Sequence, residues 1–179
     1  MSATTRVLLL PGWLNSGLSH WQSRWELLHG FQRVEQSDWL WPRRGDWMSR
    51  LDEVLLSSKT PAVLVAHSLG CQLVAAWAAH SAHTQQVLGA MLVAPPDLER
   101  EDMPPQIATW RPIVRRPLPF PSLLVYSDDD PFCAAVNARR MASSWGSRSQ
   151  ALGKAGHVNG DSGLGDWPAG RAWLARWGA

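Results

Sequence analysis

The stretch that most constrains this chain is Val63-Leu64-Val65-Ala66-His67-Ser68-Leu69-Gly70-Cys71. An apolar, partly β-branched run stops at one serine and restarts with helical spacing at Leu69, Leu73, Val74, Trp77 and Ala78. A strand, a sharp turn and a helix read this way, with the serine hydroxyl lifted clear of the sheet. The turn is tight, so the positions two before and two after the serine must be small. Here they are Ala66 and Gly70, where the strict G-x-S-x-G pattern has glycine at both. The pentapeptide alone fits an ordinary β–α turn equally well, so its meaning depends on partners elsewhere in the chain.

The rest of the chain alternates between short apolar runs and helical patterns. Arg6 to Leu10, ended by Pro11-Gly12, predicts a buried parallel strand. From Ser19, the expected N-cap, Trp21, Trp25 and Leu28 recur at helical spacing until Gly30. Arg33 to Gln36 predicts a second strand, and Asp46 is placed to cap a helix whose apolar face is Trp47, Leu51, Val54 and Leu55. Strands are further expected at Ala62–Ala66, Val87–Ala94 and Ser122–Tyr126, with a weak one at Ser149–Leu152. Helices are expected from about Ala134 to Trp145 and from Trp167-Pro168 onward, the last with Trp173, Leu174 and Trp177 on its apolar side. Pro95 to Pro121 holds eight of the thirteen prolines, so it predicts an excursion over the surface rather than a long helix or central strand. Its Asp97, Glu99, Glu101 and Asp102 read as a solvated face. The expectation is one α/β domain over residues 1–179, with an about six-stranded, mainly parallel sheet and helices on both faces.

Composition narrows the function classes. With 45% hydrophobic and 18% charged residues the chain reads as a soluble globular protein, and a formal charge of +2 is too small to imply nucleic acid as a partner. No run approaches the roughly 18 apolar residues of a membrane span, and Met1 to Arg6 leads straight toward the first strand, so a cytoplasmic location is expected. Cys71 and Cys133 lie far apart without metal-ligand spacing and support neither a disulfide framework nor a zinc site. Twelve tryptophans against one tyrosine are unusual; packing is the expected explanation, with carbohydrate stacking the competitor.

Three chemically able groups fall after strands at one sheet edge: Ser68, the run Asp128-Asp129-Asp130, and His157. A neutral serine needs a base beside it, and imidazole, with an unperturbed pKa of about 6.5, suits that role near neutral pH. A carboxylate fixes the imidazole tautomer and stabilises the imidazolium. Asp130, followed by Pro131 and Phe132, is the expected acid and Asp129 the alternative; a metal site on the acidic run has no second set of ligands to complete it. His20, His29, His80 and His83 read as surface or packing residues, His67 as lining or packing, and Cys71 as buried. The loop Gly12 to Gly17 has no Gly-Lys-Ser/Thr and is not a phosphate loop. The backbone N–H groups of Leu69 and Trp13 are the expected donors to an oxyanion.

With those residues in place, the sequence resembles the small serine hydrolases of the α/β-hydrolase superfamily related to YdeN and to retinoblastoma-binding protein nine. The resemblance runs nearly end to end. It rests on Pro11-Gly12 with Ser16, His20-Trp21 and Trp25-Glu26; on Asp38-Trp39, Pro42 and Trp47; on His67-Ser68-Leu69-Gly70; on Ser127 to Phe132; and on Gly156-His157-Val158-Asn159 with Ser162-Gly163 and Trp167-Pro168. It implies a compact α/β-hydrolase fold and an enzyme with Ser68 as nucleophile, Asp130 as orienting acid and His157 as base. Ala66 and Cys133 depart from what is typical. The expected reaction is cleavage of a carboxylic ester or similar acyl bond in a small molecule, through an acyl-Ser68 intermediate and without metal or organic cofactor. Activity is then expected to rise with pH as His157 loses its proton. Acyl transfer to an acceptor other than water would use the same residues. A hydrolase-like fold kept as a binding module is the competing class, expected to have lost at least one of the three residue types.

Overall fold

A computed structural model describes residues 5–179; residues 1–4, the start of the expected lead-in, lie outside the described residues. Six strands, β1 (Arg6–Leu10), β2 (Gln32–Arg33), β3 (Ala62–His67), β4 (Val87–Val93), β5 (Ser122–Tyr126) and β6 (Arg148–Ala151), form one sheet in the order β2-β1-β3-β4-β5-β6. Every neighbouring pair is parallel. The central strands match the apolar runs closely, because both of their faces are buried and the run itself marks the strand. The edge strands differ. β2 pairs over two residues only, Leu8 with Gln32 and Leu9 with Arg33. β6 begins one residue earlier than expected, and its four side chains are all exposed, so no apolar pattern marks its ends.

The period of two along each strand sorts side chains into two layers. Leu8, Leu10, Leu64 and Ala66 pack toward α2 (Arg44–Leu56), α3 (Leu69–His80) and α4 (Ala135–Trp145), among Trp47, Leu51, Leu73, Met141 and Trp145. Val7, Leu9, Val63 and Val65 pack toward α1 (Trp21–His29) and the C-terminal α5 (Pro168–Ala172), among Trp21, Trp25, Trp167 and Leu174. Helices therefore cover both faces. The last helix is shorter than its pattern suggests: α5 tightens into a 3-10 helix at Trp173–Trp177, where only Leu174 is fully buried.

Two expected caps are corrected. α1 is capped by His20, whose Nδ1 accepts the Gln22 N–H at 3.1 Å; the His20 N–H bonds the Gly17 carbonyl, which folds the ring over the helix start and leaves Ser19 exposed. α2 begins two residues before Asp46, after Arg43, which makes no side-chain cap. Asp46 instead sits in the first turn, where its charge favours the positive helix end.

Six tryptophans, Trp21, Trp25, Trp47, Trp77, Trp110 and Trp145, are fully buried. Each indole N–H finds an acceptor on another segment: the carbonyls of Val158, Asp166, Asp38, Pro42 and Val114, and for Trp77 the Asp52 carboxylate. A large apolar body and a single donor make these side chains suited to tying loops onto a buried layer. Among the other tryptophans, Trp41 is exposed.

The proline-rich excursion is more than a surface loop. Leu98, Ile107, Trp110, Ile113 and Phe120 are buried in the α2–α4 layer, with a 3-10 helix at Pro105–Trp110. Its acidic residues are largely paired rather than merely solvated. Glu99 takes two Arg115 donors at 2.7 Å, Asp97 accepts from Asn137 at 2.8 Å, and Asp102 meets Arg100.

Candidate active site

From β1 the chain adds β2 on one side and β3 on the other, so the segments leaving the carboxyl ends of β1 and β3 diverge. Such a reversal opens a crevice where α/β sheets take ligands. Ser68 follows β3 and Trp13 follows β1, which puts both at that crevice.

Ser68 adopts φ 53° and ψ −122°, a strained backbone region for a residue with a Cβ. Its N–H bonds the Val93 carbonyl at 2.8 Å and its carbonyl takes the Cys71 N–H at 2.9 Å, holding the turn from both sides. Close packing makes two glycines necessary. A Cβ at Gly70 would lie 2.3 Å from the Leu10 carbonyl oxygen, and one at Gly12 would lie 2.8 Å from the Ser68 Cβ. Although Ser68 occupies the N-cap of α3, its hydroxyl makes no cap bond. It lies instead 2.8 Å from His157 Nε2.

His157 stands on the loop between β6 and α5. Its Nδ1 is 3.0 Å from both Asp130 oxygens, and the Asp130 side chain is only 3% exposed. Asp130 Oδ1 also accepts the Phe132 N–H at 2.9 Å, which closes the turn through Pro131. With a carboxylate facing Nδ1, the imidazole proton sits there, and Nε2 is free to accept from the Ser68 hydroxyl. Ser68, His157 and Asp130 are thus brought together from three separate loops.

Asp129 occupies a different position. Its Oδ1 accepts from the Ser127 hydroxyl and the Gly156 N–H, each at 2.8 Å, and these bonds hold its carboxyl below the usual range. It braces the His157 loop from the β5 side. Asp128 is exposed, and only its backbone is engaged, donating to the Gly153 carbonyl. From the other side Trp21 Nε1–H donates to the Val158 carbonyl at 2.8 Å, and the Ser162 hydroxyl donates to the Ala155 carbonyl at 2.6 Å.

Leu69 opens α3, so its N–H has no acceptor within the helix and sits at the positive end of the helix dipole. In the loop after β1, the Leu14 and Asn15 amides are taken by the Trp39 and Gly12 carbonyls, whereas the Trp13 amide is not. Beside them lies a cavity of about 250 Å³ whose lining includes Trp13, Leu14, Met103, Ile107, Phe132 and Pro104, together with Ser68 and His157. The proline-rich segment therefore supplies one wall.

The two thiols stay protonated. Burial pushes Cys133 up to about 12, reinforced by the Asp97 and Asp130 charges, and burial likewise pushes Cys71 well up. His29 and His80 end α1 and α3 and are exposed. His20 and His67, in contrast, are buried against each other. Burial above all, then the charge of Arg33 and the proximity of His157, lowers His20 to about 3. Burial, then His20 and His157, lowers His67 well below the ordinary imidazole range. The sequence reads His20 as a surface or packing group and His67 as lining or packing, and neither reading includes the hydrogen bond between them. Strand parity was the available signal, since it sends the His67 side chain to the same layer as Val63 and Val65, which is the layer of α1.

A family model described as serine hydrolase matches residues 7–176. No curated protein matches the chain in sequence. Among solved structures, one described as a YdeN-like hydrolase of Pectobacterium atrosepticum is 29% identical with a TM-score of 0.84, covering 97% of this chain and 90% of that one. The ydeN gene product of Bacillus subtilis is 20% identical with a TM-score of 0.73, covering 97% and 98%. An esterase of a Rhodococcus species is 18% identical with a TM-score of 0.70, covering 99% and 93%. These last two likenesses are of fold. All three share the α/β-hydrolase architecture with this chain.

Proposed function

The chain belongs to the serine hydrolase family, and from that premise we propose that it cleaves a carboxylic ester or related acyl bond of a small molecule through an acyl-Ser68 intermediate. The observation that carries this reading is the unbroken line from Asp130 through His157 to the Ser68 hydroxyl, with contacts of 3.0 and 2.8 Å. Ser68 Oγ attacks the substrate carbonyl carbon as its proton passes to His157 Nε2. The oxyanion is stabilised by the Leu69 and Trp13 N–H groups, which are held in place before reaction and need no reorganisation. Collapse expels the alcohol, which leaves with the proton from Nε2. His157 then takes a proton from water, the hydroxide attacks the acyl-enzyme, and the acid is released as Ser68 regains its proton. Asp130 keeps the proton of His157 on Nδ1 and stabilises the transient imidazolium.

The cavity supports a neutral substrate with an apolar acyl or alkoxy group. No Lys or Arg is among its lining residues, and its volume lies below the roughly 300–1,000 Å³ of drug-sized pockets. A cytoplasmic location belongs to the same proposal: Cys71 and Cys133 are free, as in a reducing compartment. Among the described residues no helix is long and apolar enough to cross a membrane.

The test is labelling with a fluorophosphonate, comparing the native chain with Ser68→Ala. The native chain should label and the variant should not. A folded native protein that stays unlabelled would overturn the proposal.

A further inference from the structure

His67 is the last residue of β3, and the strand's alternation turns its ring onto the α1 side of the sheet. There it stands between two other histidines. Its Nδ1 lies 3.3 Å from His20 Nε2, and its Nε2 lies 2.9 Å from the His157 carbonyl oxygen. His20 Nδ1 in turn meets the Gln22 N–H at 3.1 Å. The direction of every bond follows from what each end can do. The Gln22 amide can only donate, so His20 Nδ1 carries no proton, and the neutral ring carries it on Nε2. His20 therefore donates to His67 Nδ1. A neutral His67 must then hold its own proton on Nε2, facing a carbonyl that can only accept. Three donors point the same way, and the line ends on the backbone of His157. Both rings are buried, and neither lines the cavity or touches the Ser68 hydroxyl.

We propose that His67 is a positioning residue for His157, holding the His157 carbonyl through its Nε2–H, and that His20 selects the His67 tautomer able to do so. The inference rests on the reading of His157 as the base for Ser68. The His157 loop is tied to Asp129 at Gly156 and to Trp21 at Val158, one residue to either side. The bond from His67 is the tie at His157 itself, and it sets how the backbone presents the imidazole to Ser68 Oγ. The His67 ring also flanks the His157 ring at 5.0 Å between centroids, with Phe132 against it at 4.6 Å. An apolar side chain at position 67 could fill the volume but could not donate to the carbonyl.

Three substitutions separate positioning from packing. His67→Leu removes the donor. His67→Gln keeps an amide N–H within reach of the His157 carbonyl. His20→Asn keeps an acceptor for the Gln22 N–H, and asparagine is a good N-cap, but it is too short to direct His67. The readouts are kcat and KM on p-nitrophenyl acetate, the thermal midpoint, and the imidazole nitrogen and proton resonances. The native chain should show His20 and His67 both protonated on Nε2. His67→Leu should lower kcat about tenfold to a hundredfold, the scale of an angstrom-level misplacement, with KM changed by less than about twofold. His67→Gln should recover most of that loss, and His20→Asn should lower kcat without moving the thermal midpoint. An Nδ1 proton on His67 in the native chain, or equal kcat in the Leu and Gln variants, overturns the proposal. If the native chain neither turns over the ester nor labels at Ser68, the hydrolase mechanism falls separately. The positioning is then read from the His157 Nδ1–H resonance, which should change in His67→Leu and be restored in His67→Gln; an unchanged resonance overturns it.

Discussion

Because Asp130 sets both carboxylate oxygens 3.0 Å from His157 Nδ1 while Asp129 accepts from Ser127 and Gly156, these neighbours should answer the same substitution differently. Asp130→Asn replaces an acceptor with a group that can donate to Nδ1, which favours the wrong tautomer. We expect kcat to fall about 10⁴-fold, as loss of the orienting carboxylate does in serine proteases. Asp129→Asn keeps an amide oxygen for the Gly156 N–H and should cost about tenfold or less, through a looser His157 loop. Ester hydrolysis by the two purified variants checks this; equal losses would move the orienting role away from Asp130. In the sequence only the Pro131-Phe132 that follows sets Asp130 apart from Asp129. The turn closed by the Phe132 N–H on Asp130 and the Ser127 bond to Asp129 send the two carboxylates to different partners.

The strand-turn-helix element is held by contact as much as by conformation. Gly70 lies so close to the end of β1 that an added Cβ would sit 2.3 Å from a backbone oxygen, which cannot swing away as a flexible side chain could. Gly70→Ala should therefore destabilise the protein by about 1–3 kcal/mol, the usual cost of overpacking, and slow fluorophosphonate labelling by displacing Ser68. Urea unfolding and the labelling rate check both effects. A variant with native stability and native labelling would show that the turn at Ser68 does not depend on this approach. Ala66, two residues before Ser68, carries a Cβ without difficulty because it belongs to the regular β3 ladder, paired with Leu10 and Leu92.

Acid should weaken the folded molecule from within. His20 is lowered to about 3 and His67 is also lowered, both first by burial, whereas imidazoles in the unfolded chain titrate near 6.5. As pH falls below about 6.5, the unfolded chain takes up protons that the folded chain refuses. Stability contributed by these neutral rings is thus complete above that value and lost progressively below it. Urea unfolding between pH 6.5 and 5, where carboxylates remain largely ionised, should show this slope. The slope should shrink in His20→Asn,His67→Gln; a slope unchanged in the double variant would place its origin elsewhere. At this scale the sequence by itself determined the alternating α/β order, the central strands and the chain positions of Ser68, the aspartate run and His157. Buried strands are written as apolar runs, and turns as the glycines and prolines that end them. Only the tertiary structure decided the edge strands, whose exposed residues carry no apolar pattern, the packing of the proline-rich segment, and which carboxylate of the aspartate run faces His157 Nδ1. It alone brought His20, His67 and His157 into one line, because hydrogen bonds between residues 47 and 90 positions apart depend on strand order and loop direction rather than on local spacing.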